Sequence, residues 1–234
     1  YQNTTGSDNL AVGSKSLESN TTASYNTAVG HVALHVNTTG AYNTAVGKGA
    51  LSGNTTGQQN SAVGVDALDL NTTGANNTAS GYEALRANTT GSGNTAVGSR
   101  CLDENTTADN NTAMGYAALG LNTTGTQNTA VGSNALDANT TANNNTAIGF
   151  ETLTYNSTGY QNTAVGSQSL EYNQTGNDNT GLGYITLHNA SGSRNTAIGS
   201  RALQDMTTGD DNTAVGYHAL HTNTTASDNT AVGS

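Results

Sequence analysis

The sequence predicts an all-β fold: a parallel β-solenoid, or β-roll, wound from 17-residue coils. Three observations predict it. A glycine that follows an apolar residue, or in one coil a serine, recurs at Gly13, Gly30, Gly47, Gly64, Gly81, Gly98, Gly115, Gly132, Gly149, Gly166 and Gly183, each 17 residues after the last. One residue is missing before Gly199, and the step of 17 resumes at Gly216 and Gly233. The unit, G-x-x-A-L-x-x-N-T-T-G-x-x-N-T-A-V, is shorter than helical repeats of about 33 to 47 residues and leucine-rich units of about 20 to 29. Its glycine and its Thr-Gly turn cut it into pieces of roughly five to seven residues, which suits short strands and leaves no room for a helix.

Each coil has the same elements in the same order. The strand segment ends on an apolar position, Val12, Val29, Val46 and their successors, relaxed to Met114, Ile148, Leu182 and Ile198 and once to Ser80. The marker glycine follows, then a freely varying pair such as Lys48-Gly49 or Tyr82-Glu83. Next come a small residue and an invariant leucine, from Leu17 and Leu34 to Leu203 and Leu220. Invariant apolar positions read as interior and variable polar ones as surface, so Leu51 and Val46 are expected inside and Lys48-Gly49 outside. Burying one Leu and one Val contributes about 3 to 6 kcal/mol, whereas ordering a coil's backbone costs about 17 to 34 kcal/mol. A lone coil therefore does not fold, and stability must come from stacking. Residues 1–234 read as one uncapped array of about fourteen repeats, an excerpt of a longer fibre. At about 4.8 Å per coil the array would make a rod near 65 Å long.

Two asparagine columns carry the polar pattern. The second in each coil never varies: Asn9, Asn26, Asn43, Asn60, Asn77, Asn94, Asn111, Asn128, Asn145, Asn162, Asn179, Asn195, Asn212 and Asn229. Next to a strand, such a column suits an amide ladder or turn cap. The first column spells Asn-x-Ser/Thr at Asn3, Asn20, Asn37, Asn54, Asn71, Asn88, Asn105, Asn122, Asn139, Asn156, Asn173, Asn189 and Asn223, and only Met206-Thr207-Thr208 loses it. Two readings fit. One is a turn in which the Asn and the later hydroxyl cap backbone groups; the other is N-glycosylation along one edge of the coil.

Composition excludes much else. Only 9% of the chain is charged and it contains no Pro, unlike most disordered sequences, while 33% hydrophobic residues cannot build a thick core. The net charge of −10, thinly spread, argues against nucleic acid, and no apolar run inserts into a membrane. Single Cys101 takes the small-residue slot and reads as a buried, inert thiol. His31, His35, His188, His218 and His221 lack recurrent metal spacing and read as solvated. Tyr25 and Tyr42, and Tyr155 and Tyr172, read as surface pairs. No catalytic group, metal or cofactor is expected, and the chain is not expected to be an enzyme.

The segment Ala28-Val29-Gly30-His31-Val32-Ala33-Leu34 resembles the β-roll repeats in the heads of trimeric autotransporter adhesins and, more closely, repeats of phage tail fibres. The resemblance covers the whole chain; where adhesin heads carry a second Ala-x-Gly element, this chain carries Asn-Thr-Thr-Gly. It implies an extracellular location or a cell or virion surface. It also implies a side-by-side homotrimer that would use Ala28, Ala45 and Ala62 for close approach, while the absence of atypical capping units separately points to end-to-end self-association into a fibre. A structural filament or stalk is the leading function, an adhesive fibre the alternative, and ice binding through the Thr27, Thr44, Thr78 column a third.

Overall fold

The computed structural model describes residues 2–234, with no helix among them. They form two compact units, 2–116 and 117–234. The first holds strands β1 (Leu10–Val12), β2 (Thr27–Val29), β3 (Thr44–Val46), β4 (Ser61–Val63), β5 (Thr78–Ser80), β6 (Thr95–Val97) and β7 (Thr112–Met114). The second holds β8 (Thr129–Val131), β9 (Thr146–Ile148), β10 (Thr163–Val165), β11 (Thr180–Leu182), β12 (Thr196–Ile198), β13 (Thr213–Val215) and β14 (Thr230–Val232). Within each unit every strand pairs in parallel with the strand one coil on, Thr27 opposite Thr44, Ala28 opposite Ala45 and Val29 opposite Val46. Register survives the missing residue, since Thr180 pairs with Thr196 and Leu182 with Ile198. Each unit is a parallel β-solenoid.

The interior differs from the expected one chiefly at the valine column. Leu34 to Leu203 in the leucine column are fully buried, but the valine column faces out: Val46 is 36% exposed, Val63 44% and Leu182 47%. What lies inside is the strand's central alanine, with Ala28, Ala45 and Ala62 at 0%. The reason is the two-residue period of a strand. Once the central residue points inward, both neighbours must point outward. A buried alanine column leaves nothing there for close approach between chains. Of the pair expected outside, Lys48 is exposed but Gly49 is buried.

The leucines also carry an unusual backbone. All thirteen have φ between 49° and 56°, a region that costs a non-glycine residue about 1–2 kcal/mol. Burial of the side chain contributes about 1.5–3 kcal/mol and offsets that strain. The amide is satisfied too, as the Leu34 N–H donates to the Ala50 carbonyl at 3.0 Å. A β-branched side chain is strained further there. The column contains only Leu, although the outward column accepts Val, Ile, Leu and Met; backbone strain alone does not account for this, because Val32 and Ile185 adopt φ of 53° and 55° two positions earlier in their coils.

The marker glycine is constrained by its neighbour. Gly30 has φ 142°, and a Cβ on it would lie 2.3 Å from the Gly47 carbonyl oxygen. A different constraint acts at Gly181, which replaces the strand alanine in one coil. A Cβ there would meet the Ser169 hydroxyl at 2.6 Å and the Leu170 and Thr186 side chains at 3.0 Å. Those two hydroxyls, 2.7 Å apart and hydrogen-bonded, fill the space an alanine methyl takes elsewhere.

Candidate functional site

The two asparagine columns are the most organised polar feature of the fold. Away from the ends of the array both are buried, and they bond in opposite directions. In the first, the Asn54 Nδ2 donates to Asn37 Oδ1 in the preceding coil at 2.8 Å and to the Gly57 carbonyl of its own turn at 2.9 Å. Asn71 repeats this with Asn54 and Gly74, and Asn88 with Asn71 and Gly91. In the second unit Asn139 donates to Asn122, Asn156 to Asn139 and Asn173 to Asn156. The second column reaches the following coil. Asn26 Oδ1 accepts from the Asn43 backbone N–H at 2.9 Å, and Asn43 Nδ2 donates to the Gly57 carbonyl at 2.9 Å. Each coil is thus clamped to both of its neighbours by amides that find no competing water.

This geometry removes the acceptor reading from most of the first column. Asn20, Asn37, Asn54, Asn71, Asn88, Asn105, Asn122, Asn139, Asn156 and Asn173 are 0% exposed. For Asn20 and Asn37 to Asn88, Asn139, Asn156 and Asn173, Nδ2 donates to two carbonyl-type oxygens inside the coil. A glycosylated amide retains one N–H and needs room for a sugar, so the folded coil has no place for it. The middle Thr of the motif is engaged as well, since the Thr38 and Thr72 hydroxyls donate to the carbonyls of Thr55 and Thr89 in the next coil, at 3.0 and 2.9 Å. Asn3 is exposed and Asn223 half-buried.

Asn189 lies outside the column altogether. It is exposed, and the neighbouring Ala190 occupies the ladder slot at 0%. The missing residue is the second Thr of that turn, since the Ser191 and Gly192 amides both donate to the Thr207 carbonyl. Met206, also 0% exposed, fills the slot in the next coil. The ladder is broken over these two coils, and the Asn173 Oδ1 that would accept from the next amide has no partner. Restoring both amides with the Ala190→Asn, Met206→Asn pair should raise the stability of the full chain by about 1–3 kcal/mol. Ala190→Asn alone should gain little, because its own Oδ1 would face the Met206 thioether. A double-mutant cycle from denaturant melts reads the difference, and additive single effects would show that the two slots do not communicate.

Other candidate groups are dispersed. The thiol of buried Cys101 is pushed up to about 12 by desolvation. Of the histidines only His31 is exposed; the others are half-buried. His35 lies 3.2 Å from Glu18, His188 3.0 Å from Glu171 and His221 3.5 Å from Asp205. His218 stacks on His221 at 4.6 Å, and burial first and the neighbouring imidazole second hold its pKa below the usual value. No cluster of three or more His, Cys, Asp or Glu suited to a metal occurs among the described residues. No helix among them is long and apolar enough to cross a membrane.

Sequence reasoning missed one surface column. The residue after the marker glycine is aromatic in alternate coils: Tyr82, Tyr116, Phe150, Tyr184 and Tyr217. Ser99, Ser133, Ser167 and Ser200 fill the coils between. All five rings are about half exposed. The signal was a 34-residue period, two coils long, overlooked because the slot varies when coils are compared one at a time. No protein family, curated protein or solved structure matches this chain.

Proposed function

We propose that the chain builds the shaft of an extracellular structural filament or stalk, at a cell or virion surface. The observation that supports this is where the invariance goes. The leucine, the strand alanine, both asparagine columns and the first hydroxyl of the turn face the interior or bond the coil before or after. Constraint of that kind favours axial continuity, each coil templating the next. An end of such an array presents the unpaired N–H and C=O groups of one coil to the matching groups of another copy, and a contact that adds translation along an axis does not close.

The purified 234-residue chain should therefore form an open-ended series of masses in sedimentation velocity as concentration rises, with end-to-end strings in electron micrographs. Appending one coil with charged residues in its strand should stop growth. A chain that stays single at high concentration would remove the filament reading. An adhesive fibre is the second reading, and the exposed ring pairs favour it. Tyr25 stacks on Tyr42 and Tyr155 on Tyr172, each at 4.9 Å, as flat aromatic platforms among otherwise variable surface residues.

A further inference from the structure

In the second unit, the exposed strand column is followed, one marker glycine further along each coil, by the aromatic column. Val131, Ile148, Val165, Leu182, Ile198 and Val215 point outward, with Ile148 40% exposed and Leu182 47%. The ring column starts two residues further on, so the two columns lie within about 7 Å of each other along the chain. Neither carries a charge in this unit, although the chain's net charge is −10. Scattered apolar surface needs no explanation; a column kept apolar in every coil of the unit does.

Two properties identify what covers it. The outward column keeps its apolar character but not its shape, passing through Val, Ile and Leu in this unit. That suits packing against side chains that adapt, and does not suit matching the fixed lattice of an ice surface. The ring column alternates large with small: Ser133, Phe150, Ser167, Tyr184, Ser200, Tyr217. Rings on adjacent coils stack face to face at 4.9 Å where they occur, as Tyr155 and Tyr172 do. Rings two coils apart, at about 9.6 Å, leave a gap that admits one more ring between them. A comb with ring-wide gaps at its own spacing is complementary to itself.

We infer that this face is the lateral interface between two copies of the chain, packed face to face and antiparallel, with the rings of each copy seated over the serines of the other. A two-fold axis lying in the face and perpendicular to the stacking direction sets each column against its own counterpart, apolar on apolar and comb on comb. The register that uses every tooth places Ser167 against the partner's Tyr184, Phe150 against the partner's Ser200, and Ser133 against the partner's Tyr217. This pairing is isologous and closes at two. It is independent of filament growth, which runs along the other direction and gives an open series of masses.

The test fills the gaps. The 234-residue chain carrying Ser133→Tyr, Ser167→Tyr and Ser200→Tyr is compared with the unaltered chain by sedimentation equilibrium, with a thermal melt to verify that the coils remain folded. The unaltered chain should show a dimer step whose dissociation constant weakens at least about tenfold in the gap-filled variant and in Tyr184→Ser. General stickiness predicts the reverse, because three added tyrosines would tighten association, and that result overturns the proposal. An unaltered chain lacking any dimer step overturns it as well. If such a chain instead halts ice growth, and Thr163→Lys abolishes the effect, the face belongs to ice. As a check of register, Phe150→Cys with Ser200→Cys should yield a covalent dimer on oxidation. These two positions lie three coils, about 14 Å, apart within one chain, too far for an internal bridge. A covalent dimer absent from this double variant while the dimer step persists would overturn the antiparallel register.

Discussion

Leu68→Asp is expected to unfold the coils around it, with a loss of more than about 4 kcal/mol. Leu68 is fully buried, and the leucine slots of the coils on either side, Leu51 and Leu85, are buried too. A carboxylate there would have no cation and no water, and the leucine's own burial, which offsets its positive φ of 55°, would be lost as well. Val63→Asp, five residues earlier on a 44% exposed position, is the control and should stay within about 1 kcal/mol of the parent. Urea melts followed by circular dichroism compare the two. Equal losses would show that the outward column is interior after all.

Asn71→Ala should cost about 3–5 kcal/mol, an effect out of proportion to the size of the side chain. Removing that amide strands the Asn54 Oδ1, which loses its donor at 2.8 Å, and one N–H of Asn88, which loses its acceptor at 2.8 Å. Both atoms lie on fully buried residues, so no water repairs them. Asn71→Asp should be worse at neutral pH, because an acceptor oxygen would then face the Asn54 acceptor and a charge would be enclosed. The sign of its pH dependence follows. The carboxyl's folded-state pKa would be raised above the unfolded value, so the variant regains stability as pH falls and the group becomes a neutral donor. Melts of this variant that do not improve on acidification would show that its carboxyl has found a donor or escaped to solvent.

The coil, its period and its register could be read directly because fourteen copies of one unit reveal which positions are held constant. They do not reveal direction. Val46 and Leu51 are both invariant in character, yet one is held from outside and the other from within. The clue lay in Ala45 between Thr44 and Val46, since three consecutive strand residues cannot all face inward. The asparagine motif misled for a related reason. Asn-x-Ser/Thr fixes a spacing but not a place in the coil, and Asn189 matches the spacing while Ala190 takes the slot. Counting three residues on from Leu187, as Asn20 follows Leu17 and Asn37 follows Leu34, would have found the substitution. The positive φ of the leucines has no sequence signature, because the residue that tolerates such backbone best is glycine and packing overrode it.

The bonding pattern also governs how the chain reaches this state. Backbone partners in neighbouring coils are separated by 16 residues from Leu34 to Ala50, 17 from Thr38 to Thr55 and 18 from Gly30 to Val12, and the pattern recurs along both units. The mean separation of contacting residues is therefore set by the coil and does not grow with the number of coils, so relative contact order falls as the array lengthens. Only the first two coils must close loops without a template; every later coil adds the same short loop to a finished edge. A parallel sheet would ordinarily be a slow topology. Here it is expected to form by nucleation and coil-by-coil propagation, like the growth of a helix from its first turn.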